Sequence, residues 1–140
     1  MTQHVADPAG HPTIFTTPSG HHAKQRIVVQ ILSDLPQRKR LQNRRMLELL
    51  NFEHGGFRFV AGIGRFDDGR LAEIFLNCSK VGTPVDVNAR DVAIVASLAL
   101  QRGATTDELR RALTRNGDGS AGGPLAAALD AIETITEPTR

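Results

Sequence analysis

The chain has 140 residues, 40% of them apolar and 23% charged, a balance that fits one globular domain of ordinary size and excludes a fibrous or largely disordered protein. Its 17 Lys and Arg against 15 Asp and Glu give a net charge of +2, too small by itself to define a nucleic-acid binder. A single cysteine excludes an internal disulfide. The longest apolar run, Val92 to Leu100, falls short of the roughly 18 residues that a membrane span needs.

Residues 1–25 are polar, aperiodic and rich in His, Pro, Thr and Gly, which predicts a disordered tail. The opening MTQHVADPAG lacks the charged-then-apolar order of a secretory signal. With Cys78 unpaired, the expected setting is reducing and cytoplasmic, without a membrane. Residues 26–32, RIVVQIL, read as a short strand ended by Pro36. Residues 37–50, QRKRLQNRRMLELL, favour a helix by composition.

Gly55-Gly56 predicts a turn into a strand where Phe57, Phe59, Ala61 and Ile63 alternate with Arg58, Val60, Gly62 and Gly64. The glycines at 62 and 64 predict a bend, a bulge or close backbone approach. Asp67-Asp68-Gly69 reads as a hairpin turn, completing a hairpin over 57–79. The return strand, Leu71 to Cys78, is apolar on both faces and is expected to be central, with Cys78 a small buried hydrophobe. Glu73 interrupts it, with Arg58 or Arg65 as the expected cross-strand partner.

Thr83-Pro84 opens the next segment, and Asp86 or Asn88 is suited to cap a helix over 88–102. That helix is apolar around much of its circumference, which predicts burial on several sides, some of it in a homo-oligomer. Gly103 ends it. Thr105 and Glu108 form a capping-box pattern for a helix over 106–114. Residues 116–123 read as a loop, Pro124 as the start of a last helix over 124–135, and 137–140 as a tail. The expected fold is α+β: a small antiparallel sheet built on a β-hairpin, with three to four helices packed on one face, in a single domain over 26–136.

The run GGFRF, GRFDDGRLAEIFLNCSKVG, VAIVASLALQRGATTDELRRAL and GGPLAAALDAI resembles the TSCPD domain. That domain lies towards the C-terminus of adenosylcobalamin-dependent (class II) ribonucleotide reductases and also occurs in small stand-alone proteins. Leu35-Pro36-Gln37-Arg38-Lys39-Arg40 is similar to the basic stretch that precedes it in the reductases. The resemblance covers about residues 34–133, and DGRLAEIF is its most specific part. Many members carry cysteines at the glycine turn and in the motif that names the domain, where they are thought to hold a metal. Here those places read His54-Gly55-Gly56-Phe57 and Gly122-Gly123-Pro124-Leu125, so no metal is expected. The catalytic cysteines and cobalamin site of the reductases belong to a barrel domain that this stretch does not resemble, so no cofactor is expected.

Arg38, Lys39, Arg40, Arg44 and Arg45 are the candidate nucleic-acid-binding residues, since clustered cations neutralise phosphates and release counterions. On an ideal helix they would spread around the circumference, which favours backbone contact over groove docking. An acidic protein surface is the other partner considered. Histidines 4, 11, 21, 22 and 54 form no ligand pattern. Asn116, Asp118 and Ser120 start like a calcium loop, but Ala121 and Ala127 stand where Gly and Glu are needed. The glycine loop before Pro124 lacks the Lys-Ser or Lys-Thr of a phosphate loop. No catalytic set has sequence support, and the expected role is a non-catalytic accessory or regulatory module. A protein-interaction module partnering ribonucleotide reductase or a transcription complex is the alternative.

Overall fold

A computed structural model of the chain describes residues 36–136. Its elements are strands β1 (Leu47–His54), β2 (Phe57–Arg65) and β3 (Leu71–Cys78), then helices α1 (Pro84–Gln101), α2 (Thr106–Ala112) and α3 (Pro124–Thr136). The architecture is α+β, a three-stranded antiparallel sheet in the order β1-β2-β3 with three helices among the described residues. The expected tails, 1–25 and 137–140, and the expected strand, 26–32, lie outside the described residues.

The expected basic helix over 37–50 does not form. Residues 37–46 have no regular helix or strand, and Leu47–His54 becomes β1, paired with β2 from Leu47↔Gly64 to His54↔Phe57. The segment LELLNFEH contains a period of two that its composition masks. Leu50 and Phe52 pack against the core, whereas Leu47 and Leu49 are exposed on the other face. Non-local pairing with β2 outweighs the helix preference of Leu, Glu and Arg. Gly55 and Gly56 join the strands at φ 58° and 79°, the two positive values that a tight two-residue hairpin turn demands.

Pairing of β2 with β3 runs from Phe59↔Cys78 to Gly64↔Glu73 and then slips between Gly64 and Arg65. This break in register is in keeping with the bend, bulge or close approach expected from the glycines. Among the described residues, strand β3 is an edge strand rather than the central strand its two apolar faces predict. Helix α1 explains the pattern. Its Ser97 hydroxyl accepts the Ile74 N–H at 2.9 Å, and its proton lies within reach of the Ile74 and Ala93 carbonyls at 3.0 and 2.9 Å. Gln101 Nε2 donates to the Ala72 carbonyl at 3.2 Å, and the Cys78 N–H donates to Asp86 Oδ1 at 3.0 Å. Helical side chains thus supply the hydrogen bonds that a fourth strand would otherwise make. Ala89, Ala93 and Ala96, all buried, repeat at helical spacing and keep the approach close.

The core lies between the sheet and the helices. Phe59, Ala61 and Ile63 of β2 meet Leu125, Leu129 and Ile132 of α3 in one buried cluster, which also takes in Cys78. Leu109 and Leu113, partly buried, pack against this cluster from the α2 side. Among the described residues, the opposite face of the sheet carries no helix.

Helix α1 starts four residues before the expected position 88. Thr83 is its N-cap, its hydroxyl accepting the Asp86 N–H at 3.3 Å, and Pro84 occupies the first turn. Asp86 does not cap the helix; it is buried and accepts from Cys78 and Gly82 N–H groups. Gly103, at φ 103°, ends the helix after Arg102. Burial of α1 on several sides is not met among the described residues, where Ile94, Val95 and Leu98 remain exposed. The capping box of Thr105 and Glu108 forms as expected, and Pro124 begins α3.

Candidate functional site

The five candidate cations lie on an irregular segment, bent at Asn43 and Arg44, that is tied to the fold at both ends. At the first end, Arg38 Nε donates to Gln101 Oε1 at 2.7 Å, and the Lys39 N–H donates to the Gln101 carbonyl at 2.7 Å. The Lys39 ammonium sits 4.6 Å from the centroid of the Phe66 ring, and the Arg70 guanidinium 5.3 Å from the same centroid. At the second end, Arg45 grips Glu73 with two nitrogens, Nη2 reaching Oε2 at 2.8 Å, while Nη1 donates to the Gln42 carbonyl at 2.8 Å.

Glu73 is 5% exposed, and its partner is neither Arg58 nor Arg65, the expected ones. Arg65 instead pairs with Glu48 at 2.8 Å. Glu73 stands opposite Gly64. A Cβ at position 64 would lie 2.5 Å from Oε1 and 2.6 Å from Cγ of Glu73. The glycine therefore leaves the space in which this carboxylate turns towards Arg45. At Gly62 a Cβ would stand 3.1 Å from Leu47, which is the close approach expected there.

Three of the five cations are thus occupied within the chain: Arg38 by an amide, Lys39 by a ring and Arg45 by a carboxylate. Arg40 and Arg44 are exposed and make no ion pair among the described residues. Between this segment and the β2–β3 turn lies a concavity of about 340 Å³, with Lys39, Arg40 and Arg44 on one wall and Phe66 and Asp67 on the other. Arg102, exposed and next to Gln101, brings a further cation to the same end of α1. Sequence reasoning missed Arg102 and Phe66 because they stand far from residues 38–45 along the chain. Two guanidinium groups that make no ion pair among the described residues can each offer paired N–H donors to a phosphate.

Other groups of charge are closed on themselves. The Arg115 guanidinium, with Arg110 beside it, holds the Asp130 carboxyl below the usual carboxylate range. The backbone N–H groups of Gly82 and Cys78 do the same for Asp86. A concavity of about 590 Å³ beside the β2–β3 turn includes Asp68 and Asp107, and these are paired with Arg70 and Arg111. No group of three His, Cys, Asp or Glu side chains that could hold a metal occurs among the described residues. Asn116, Asp118 and Ser120 bond to one another within their loop, Ser120 Oγ donating to Asp118 Oδ1 at 2.6 Å and Asn116 Nδ2 to Ser120 Oγ at 2.9 Å. At Gly122 a Cβ would meet the Thr114 carbonyl at 2.8 Å, so close backbone packing accounts for a glycine before Pro124. The histidines at 4, 11, 21 and 22 lie outside the described residues. No helix among them is long and apolar enough to cross a membrane.

No family model matches the chain, and no solved structure matches it. Two curated proteins are similar to part of it. A stretch of 90 residues, 64% of the chain, is 33% identical to a segment of the vitamin B12-dependent ribonucleotide reductase of Bradyrhizobium diazoefficiens. A stretch of 78 residues, 56% of the chain, is 35% identical to a segment of the vitamin B12-dependent ribonucleotide reductase of Agrobacterium fabrum. The chain spans only 7% and 6% of the lengths of these two reductases. Its similarity is therefore to a small part of a vitamin B12-dependent ribonucleotide reductase.

Proposed function

We propose that the chain is a non-catalytic accessory module of the TSCPD type, related to a segment of the B12-dependent reductases, and that it binds the phosphate backbone of nucleic acid. The observation that carries this reading is the double anchoring of residues 38–45. Gln101 and Glu73 hold the ends of the segment, and Arg40 and Arg44 stand exposed between them. An anchored segment loses less conformational freedom on binding than a free one. Arg38, Lys39 and Arg102 add long-range positive potential around those two contacts. The absence of catalysis is supported by the burial of Cys78, which leaves no reactive thiol. Direct carboxylate–arginine pairing supports it further, as seen for Asp68, Asp107 and Asp130.

The test is a titration of the full chain with single- and double-stranded DNA and RNA across a range of salt concentrations. Binding that weakens linearly with log salt, and whose slope shrinks when Arg40 and Arg44 are replaced by Ala, is the expected result. No binding at about 50 mM salt rejects the reading.

A protein-interaction role is the second reading. It is favoured by apolar residues on the helix-free face of the sheet, where Leu49 and Phe75 are exposed. Recovery of a reductase chain in a pull-down that survives nuclease and high salt would support it over the first.

A further inference from the structure

Helix α1 carries one surface that nothing in the described chain covers. Its buried side holds Ala89, Ala93, Ala96 and Leu100. At about 3.6 residues per turn, the opposite side carries Asp91, Val95, Leu98 and Arg102 within about 60° of one another, with Ile94 beside them. Ile94 is 55% exposed, Val95 67% and Leu98 37%. Asp91 and Arg102 are exposed too. Neither makes an ion pair among the described residues. An apolar stripe with an acid at one end and a base at the other is complementary to its own copy turned end for end.

We propose that α1 docks against α1 of a second copy of this chain, antiparallel and two-fold symmetric, with Asp91 of each copy facing Arg102 of the other. A two-fold interface uses the same patch twice, so each residue must suit its symmetry mate. Charge selects the register. Setting position 91 against 102 places the two-fold axis between Ala96 and Ser97, and Val95 then meets Leu98 on both halves. A shift of one turn would set Asp91 on Leu98 and Arg102 on Val87, leaving both charges against apolar surface. A parallel arrangement would put Asp91 on Asp91 and Arg102 on Arg102, a like-charge cost at each end. Only the antiparallel register with 91 against 102 covers the apolar stripe and neutralises both ends.

The test is sedimentation equilibrium of the full chain and of charge-reversed variants. The chain is expected to dimerise at micromolar concentration. Asp91→Arg and Arg102→Asp should each weaken the dimer by about tenfold or more, and the combination of the two should restore it. Circular dichroism of each variant separates loss of the dimer from loss of the fold. Val95→Asp, which keeps both charges, should also yield a folded monomer. A wild-type monomer at about 100 µM overturns the proposal. So does a dimer indifferent to Asp91→Arg, or a double reversal that fails to recover association. Asp91→Arg and Val95→Asp leave every cation of the nucleic-acid site in place, so these two variants test the dimer separately from the nucleic-acid reading.

Discussion

Gly64 and Glu73 face each other across β2 and β3, and the side chain missing from the first is the space filled by the carboxylate of the second. That space lets a nearly buried acid turn along the helix-free face of the sheet and hold Arg45. One glycine therefore governs where the basic segment is fastened.

Gly64→Ala should destabilise the chain by about 1–3 kcal/mol, the usual range for an overpacked interior. The new methyl displaces Glu73 and with it the grip on Arg45. In a Glu73→Ala background the same substitution should cost much less, because the two residues share one space. Urea denaturation of the four chains of this cycle measures the coupling. Additive costs would refute the account.

The five cations should divide into two classes. Arg45→Ala strands the Glu73 carboxylate in a nearly buried position, so it should lower the melting temperature by several degrees. Arg40→Ala and Arg44→Ala remove exposed groups, so they should leave the melting temperature within about one degree while reducing the salt slope of nucleic-acid binding. Replacing all five cations together confounds the classes. Thermal melts beside binding titrations of the single variants resolve them.

Ser97→Ala removes the partner of the Ile74 amide at the edge of the sheet. The expected cost is about 1–2 kcal/mol, that of an unsatisfied buried group. Hydrogen exchange offers a local reading: the Ile74 amide should exchange faster in the variant, while amides in the β1–β2 ladder change only with global stability. Unchanged protection at Ile74 would contradict the role given to this hydroxyl.

Acid should unfold the chain through Asp86 and Asp130. Both carboxyls are held below their ordinary range, Asp86 by the N–H groups of Gly82 and Cys78 and Asp130 by Arg115 and then Arg110. A carboxyl whose folded pKa is depressed stabilises the fold fully above its unfolded value, about 3.9, and loses that contribution as pH falls through the folded value. Stability should be level from about pH 7 to 5 and fall below about pH 4. Asp86→Asn cannot ionise, so its stability should decline less over that acid range. Parallel curves for wild type and variant would exclude this assignment.

The hairpin was legible in the sequence because its signals are local. Strand alternation, the glycines at 55, 56 and 69 and the capping box at Thr105 each act within a few residues. The similarity to reductase sequences was legible for a related reason, since DGRLAEIF is a contiguous stretch. The basic segment was not, because its conformation depends on distant residues. Arg38 meets Gln101 63 positions away and Arg45 meets Glu73 28 positions away. No composition rule carries that information, and helix propensity filled the gap wrongly. The position of β3 was obscured likewise: a strand flanked by a helix at its edge has the same apolar pattern as one flanked by strands on both sides.

The hydrogen bonds from Asp86, Ser97 and Gln101 have one more implication. They occupy outward backbone groups of Ala72, Ile74 and Cys78, so an incoming strand would have to displace α1 to pair with β3. Strand addition along the β3 side therefore carries the added cost of peeling α1 away.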